Sequence, residues 1–232
     1  MDLASLFGEA LFPTRCVVCQ AYGSWWCADC QAACELIRRN LCPDCGSLAA
    51  VHDCPKGIGA DALLAAGFYH DPRLRTAIHA LKYKGVTKLS SALAEFLRRW
   101  REERLDIWPW AGDAELAIQP LIGAPRSVRE RGFDQAELIA LMLQDVCVPW
   151  AVKADLLIRK PAMLPQVSVE RGLLRRANVQ GAYQLKAGVE VPKKVLLVDD
   201  VMTTGSTLAE AVRVLRAAGA QQVYGFTLAV GA

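Results

Sequence analysis

Read for its alternation of apolar and polar positions, the chain changes character near residue 57. Before that point cysteines, glycines and prolines interrupt the apolar residues and no period is sustained; the segment closes on CPKGIGAD. After it, short apolar runs alternate with amphipathic stretches. ALLAAGFYH (62–70), ELAIQPL, ADLLI, KKVLLVDDV and QQVYGFTLAV predict strands, because each is a brief apolar run bounded by turn formers. RLRTAIHALKYKG, stopped by Gly85, then KLSSALAEFLRRWREERL, DQAELIALMLQDVC and STLAEAVRVLRAAGA predict helices from their apolar stripes. Strand alternating with helix means an α/β fold: a parallel sheet flanked by helices on both faces. Two domains are expected, residues 1–57 and 58–232. No internal repeat or low-complexity tract is visible.

The rhythm is broken by two long stretches, 122–133 and 159–192, which carry Pro, Gly and basic residues with weak periodicity. Loops of that length in a compact domain are usually functional. In open α/β sheets, ligands gather where such loops leave the carboxyl ends of strands. From Arg126 to Lys194, twelve lysines and arginines face seven aspartates and glutamates, so the middle of the chain carries +5 while the whole chain carries +3. An anionic ligand is expected there.

Charges interrupt every apolar run before it reaches the roughly 18–20 residues that cross a bilayer, so no membrane insertion is expected. The N-terminus, MDLASLFGEALFPTRC, lacks a basic leader and a small-residue cleavage site, which predicts a cytoplasmic protein. Of nine cysteines, eight fall within residues 16–54, a clustering that points to metal rather than disulfides. CVVCQAYGSWWCADC supplies Cys16, Cys19, Cys27 and Cys30 as two C-x-x-C knuckles, the spacing of a closed four-thiolate structural Zn²⁺ site. Trp25 and Trp26 between them either stack nucleic-acid bases or pack against the second domain. Cys147, on an apolar helix, reads as a small core residue. His70 and His79 have no Cys or Ser partner and read as core or surface groups.

The densest chemistry lies in VLLVDDVMTTGSTLAEA, 195–211. Asp199 and Asp200 end a buried strand, where carboxylates are costly without partners. Vicinal ribose hydroxyls are suitable partners, and the charge also suits a hydrated Mg²⁺. Thr203, Thr204, Gly205, Ser206 and Thr207 follow at a helix start, where backbone N–H groups, hydroxyls and the helix dipole favour a phosphate. The spacing is that of a ribose 5-phosphate. Simple helix capping needs only one such residue, not a double acid and four hydroxyls. A Walker A loop is absent, and GIGADA precedes a strand where a dinucleotide fingerprint should follow one.

VLLVDDVMTTGSTL resembles the phosphoribosyl-pyrophosphate (PRPP) motif of type I phosphoribosyltransferases. QPLIGAPRSVRERGFDQAELIA resembles the strand, basic loop and RGFNQ segment of the ComF/GntX-like competence family, with Asp134 where that family commonly has Asn. RKPAMLPQVSVERGLLRRANVQGAY is similar to another loop of that family, and the cysteine-rich start to its zinc ribbon.

The resemblance implies a type I phosphoribosyltransferase-like sheet preceded by a small zinc-ribbon domain with four cysteine ligands. It implies Asp199 and Asp200 as the catalytic pair on the ribose hydroxyls and Mg²⁺, and 203–207 on the 5-phosphate. Arg126, Arg129 and Arg131 would meet pyrophosphate, a hood carrying Arg159, Gln166, Arg171 and Arg175 would exclude water, and Lys84, with Lys82, resembles a family element that either reaches PRPP or caps a helix C-terminus. Cys42, Cys45 and Cys54 look like an incomplete second ribbon, with Gly57 where the family often has a fourth cysteine. Either His52 or Cys34 completes it, or a single zinc is bound, and the sequence leans to the single ion.

Three functions follow from the resemblance. One is Mg²⁺-dependent transfer of phosphoribose from PRPP, linked to DNA uptake, natural transformation or use of DNA as a nutrient, with an unknown acceptor. A second is a non-catalytic PRPP sensor that binds single-stranded DNA and works with DNA-uptake or recombination proteins. A third is nucleobase salvage, weakened because residues 159–178 contain no recognisable base reader. The oligomeric state is not legible.

Overall fold

The computed structural model describes residues 13–48, 52, 54, 57–83, 87–106, 108, 116–123, 128–129, 132–147, 150–160 and 181–231. In chain order its elements are α1 (Ala28–Ala32), β1 (Ala62–Phe68), α2 (Pro72–Tyr83), α3 (Thr87–Glu102), β2 (Leu116–Pro120) and α4 (Gln135–Cys147), then β3 (Leu157–Arg159), β4 (Tyr183–Leu185), β5 (Lys194–Met202), α5 (Ser206–Ala217) and β6 (Gln222–Val230). Strands β1, β6, β5 and β2 form one sheet in that order, every pairing parallel. The α/β architecture expected from the sequence is the one observed.

Its strands are mostly apolar because both faces are covered. Leu196, Val198, Tyr224, Phe226 and Leu64 feed one core with α3 and α4; Val195, Leu197, Val223 and Leu63 feed the other with α5. Alternate residues of each strand therefore belong to different cores, the period-two geometry of a strand made visible.

ADLLI departs from expectation. Its last residues form β3, which pairs antiparallel with β4 in a separate two-stranded sheet instead of joining the parallel sheet. The reason is local. Residue 152 already lies beside β2, where the Ile118 N–H donates to Ala151 O at 3.0 Å and the Lys153 N–H to Ile118 O at 2.8 Å. Buried Gln119 then accepts the N–H groups of Leu156 and Leu157 on Oε1, at 2.9 and 3.2 Å, so that backbone is satisfied by a side chain.

The cysteine-rich segment lies along the other edge of the sheet. Leu36 and Leu41 bridge Gly67 and Leu63 of β1 in antiparallel sense, with the Leu41 N–H donating to Leu63 O at 2.8 Å. The approach is close enough that Gly67 has no room for a side chain: a Cβ there would lie 3.0 Å from Glu35 O. Asp71 ties the same edge down, accepting from the Glu35 N–H at 3.1 Å and the Arg73 N–H at 2.8 Å.

Of the two roles open to the tryptophans, packing is the one observed. Trp26 is 1% exposed, its ring 5.1 Å from that of Phe96 on α3, and Trp25 is half-buried against the same core. Trp100 of α3 completes the junction by donating its Nε1–H to Ile37 O at 2.7 Å.

Candidate phosphate cup and metal clusters

β5 runs unbroken through both acids and ends at Met202, so Asp199 and Asp200 face opposite sides of the last strand turns before the chain reverses. The reversal is made at Gly205, whose φ of 71° is left-handed and suits glycine; an added Cβ would also lie 2.6 Å from Ile58 Cδ1. Gly205 is the N-cap of α5 and, being a glycine, offers no side chain to cap the helix. At the first turn the Ser206 N–H donates to Thr204 Oγ1 at 3.4 Å, and the Asp200 carboxylate accepts from the adjacent Val201 N–H at 2.8 Å. Thr204 Oγ1 and Ser206 Oγ lie 2.9 Å apart at the rim. Residues 201–208, with Asp199 and Thr227, line one open pocket.

The acids sit in an unfavourable field. Burial pushes the Asp199 carboxyl well above the usual aspartate range, and the charges of Asp200 and Asp134 push it further, against the stabilising Asp200 N–H. That N–H donates to Asp199 Oδ1 at 2.8 Å. Thr227, opposite Asp199 in the β5–β6 register, is 1% exposed and its hydroxyl has no partner among the described residues.

Several buried groups outside the pocket lining bear on the site or on the elements that carry it. Tyr183 of β4 is buried, which raises its hydroxyl to about 12; Arg159 lies over its ring, and Asp199 and Asp134 are near enough to add to the shift. Asp134 is 5% exposed and accepts the Gly123 N–H at 2.7 Å and the Glu137 N–H at 3.2 Å. It thereby caps α4 and anchors the start of the loop after β2, a dual role a neutral side chain fills less well. Glu210 of α5, 7% exposed, accepts the Gly181 N–H at 2.8 Å and pairs with Arg213. Thr227 had a sequence signal, a polar residue inside an apolar strand, and Asp134 had one in the RGFDQ segment at the start of a predicted helix. Tyr183 and Asp134 draw their importance from neighbours distant in sequence.

Asp134→Ala is expected to cost about 1–2 kcal/mol in urea unfolding, since two part-buried backbone donors lose their acceptor, one of them at a helix start. A stability within about 0.5 kcal/mol of the parent would remove Asp134 from this role.

Among the basic residues, Arg129 is exposed and Arg159 is half-buried on β3. Arg126, Arg131, Lys84, Gln166, Arg171 and Arg175 lie outside the described residues, as do the side chains of Lys82 and Cys147. His70 and His79 are surface groups: His70 is 3.9 Å from Glu35, and His79 Nε2 is 2.8 Å from Tyr69 Oη.

Two clusters can each hold a metal ion. Cys16, Cys19, Cys27 and Cys30 bring their sulfurs within 4.8 Å of one another. Burial raises the Cys16 thiol, but the N–H groups of Cys19, Cys27 and Val18 outweigh it and bring it to about 6, which favours thiolate. Cys42, Cys45, His52 and Cys54 meet the same limit. His52, not Cys34, is thus the fourth member: Cys34 is buried elsewhere, with its thiol donating to Cys30 O at 3.3 Å. The sequence leaned to one ion because Gly57 removed the expected fourth cysteine; the fold supplies an imidazole instead. Four sulfurs, and three sulfurs with an imidazole, are both donor sets that fit tetrahedral Zn²⁺.

Residues 162–230 match the phosphoribosyl transferase domain family. The DNA utilization protein YhgH of Escherichia coli O157:H7 is 30% identical over 226 residues, covering 91% of this chain and 94% of its own. The chain belongs to the ComF/GntX-like competence protein family. Within that family, competence protein ComFC of Streptococcus pneumoniae is 27% identical over 209 residues, 87% of this chain and 86% of its own. Competence protein F of Haemophilus influenzae is 34% identical over 106 residues, 43% of each chain. Among the described residues no helix of this ComF-like chain is long and apolar enough to cross a membrane.

Proposed function

We propose that this ComF-like chain binds PRPP with Mg²⁺ at the turn between β5 and α5 and transfers its phosphoribosyl group in the handling of DNA taken up or used as a nutrient. The observation that carries this reading is the pair of acids at the end of a buried strand, followed at once by a helix N-terminus whose N-cap is a left-handed glycine without a capping side chain of its own. A phosphate there would meet backbone N–H groups and the hydroxyls of Thr203, Thr204, Ser206 and Thr207. Asp199 and Asp200 would accept the ribose hydroxyls and hold Mg²⁺, directly or through water. The metal would supply charge neutralisation for departing pyrophosphate. The acids would tolerate the positive charge that develops on the sugar, while Arg126, Arg129, Arg131 and Lys84 are assigned to the pyrophosphate side.

The relatives' names, competence and DNA utilization, support single-stranded DNA and DNA-uptake or recombination proteins as partners. A charged, membrane-impermeant ligand is in keeping with a cytoplasmic location. The division at residue 57 goes with the same reading, a metal-binding segment before a transferase-like domain.

Calorimetry with PRPP and Mg²⁺, followed by pyrophosphate release in the presence of nucleobases, amines or oligonucleotides, tests the proposal. Saturable binding and release with one acceptor class are expected. Absence of PRPP binding removes the proposal, and binding without release under every acceptor reduces the protein to a sensor.

A further inference from the structure

The second cysteine cluster lies directly behind the cup. Its knuckle is closed by the Cys42 N–H to Ser47 O at 2.8 Å and the Gly46 N–H to Cys42 O at 2.9 Å. Cys45 Sγ is 2.9 Å from His52 Nε2, and Cys42 Sγ is 3.8 Å from Cys54 Sγ. Asp44, inside the knuckle, carries the next contact outward. Its carbonyl accepts the Ile58 N–H at 3.2 Å and its Oδ1 the Gly59 N–H at 3.4 Å. Ile58, 4% exposed, is thereby hung against Gly205 at the turn of the cup. Gly46 lies over Met202, the residue at the other side of the turn, so closely that a Cβ on Gly46 would collide with the methionine Cε.

Both shoulders of the cup, Met202 and Gly205, therefore rest on one metal-ligand loop or on a residue suspended from it. The first cluster makes a useful contrast. Cys16, Cys30 and Trp26 belong to the core shared with Phe96 on one face of the sheet, whereas Ile58, Met202 and Leu208 belong to the core on the other. The two clusters buttress different faces.

We propose that zinc held by Cys42, Cys45, His52 and Cys54 keeps the turn from Met202 to Gly205 in the shape that accepts a phosphate. The structural half stands on the contacts above, while the consequence for ligand rests on the PRPP reading. A loop of this length, with few other regular elements, has little to define it without the ion. Loss of zinc frees Asp44, then Ile58, and the turn loses its backing. Zinc supply would in this way set ligand affinity without the zinc touching the ligand.

The test uses the full chain. Zinc per chain is measured by atomic absorption for wild type, His52→Ala and Ile58→Ala. Amide hydrogen exchange is followed in the segment 203–208, and PRPP with Mg²⁺ is titrated by calorimetry. Wild type and Ile58→Ala are expected to hold two zinc ions and His52→Ala one. Both variants are expected to exchange at least about tenfold faster in the cup, with β6 unchanged, and to bind PRPP about tenfold more weakly. A single zinc in the wild type, two in His52→Ala, or unaltered cup exchange in Ile58→Ala overturns the proposal. Ile58→Ala keeps all four ligands, so this arm holds even if His52→Ala fails to fold. Faster exchange in a protein that never binds PRPP sinks the phosphate reading and leaves the coupling standing; normal PRPP binding with unaltered exchange does the reverse.

Discussion

Asp199→Asn combined with Asp200→Asn is expected to lower PRPP affinity by at least about 100-fold and, at the same time, to leave the fold more stable at neutral pH. The loss follows from two carboxylate acceptors for sugar hydroxyls, which Mg²⁺ arriving with the ligand would keep charged: hydrogen bonds to charged groups contribute about 1.5–3 kcal/mol each, and two of them exceed the about 2.7 kcal/mol that corresponds to 100-fold. The gain follows from the field at β5. Burial and the Asp200 charge raise Asp199 above its ordinary value of 3.8, so the folded chain holds a proton where the unfolded chain has released it. Stability from this group is fully present below about pH 4 and declines as pH rises through the raised folded value. Two asparagines remove that decline. Each kcal/mol of relief raises Tm by about 2–4 °C for a chain of this length. Calorimetry and thermal melts across pH 4–9 read both effects. Undiminished affinity would take the ribose away from these acids, and an unchanged pH slope of Tm would take the burial penalty away from Asp199.

Zinc removal from the first cluster is expected to have the largest effect on stability. Cys27→Ser deprives the ion of one of four thiolates in a segment whose described residues hold one short helix and little core of their own. Trp26, held between Trp25 and Cys27 in sequence and against Phe96 in space, is the main apolar group at stake. Releasing it costs about 3–5 kcal/mol, the cost of truncating a buried tryptophan. Tm should fall on the order of 10 °C. Zinc content, thermal melts and a red shift of tryptophan emission give three readouts. Retention of the full zinc content with an unchanged melt would exclude Cys27 as a ligand.

The legible features share a physical origin: they are local. VLLV announced a strand buried on both faces because four consecutive apolar residues leave no solvent side, and MTTGST announced a tight turn into a helix because Gly205 can take a positive φ. The two C-x-x-C knuckles were legible because a chelate ring must close over a few residues. ADLLI misled for the opposite reason. Its apolar content was real, but which backbone it would face depended on Gln119, more than thirty residues earlier, and on residue 152 taking the place beside β2.

The sequence by itself determined the alternation of strands and helices, the acids and hydroxyls around Gly205, and the first set of four thiolates, since each is written within a span of about twenty residues. Tertiary structure alone decided that Trp26 packs on Phe96, that His52 takes the place left by Gly57, that Asp134 anchors the start of a loop, and that Ile58 and Gly46 stand behind the cup. Those are pairings across a folded sheet, and the free energy that selects them is shared among residues that no local pattern connects.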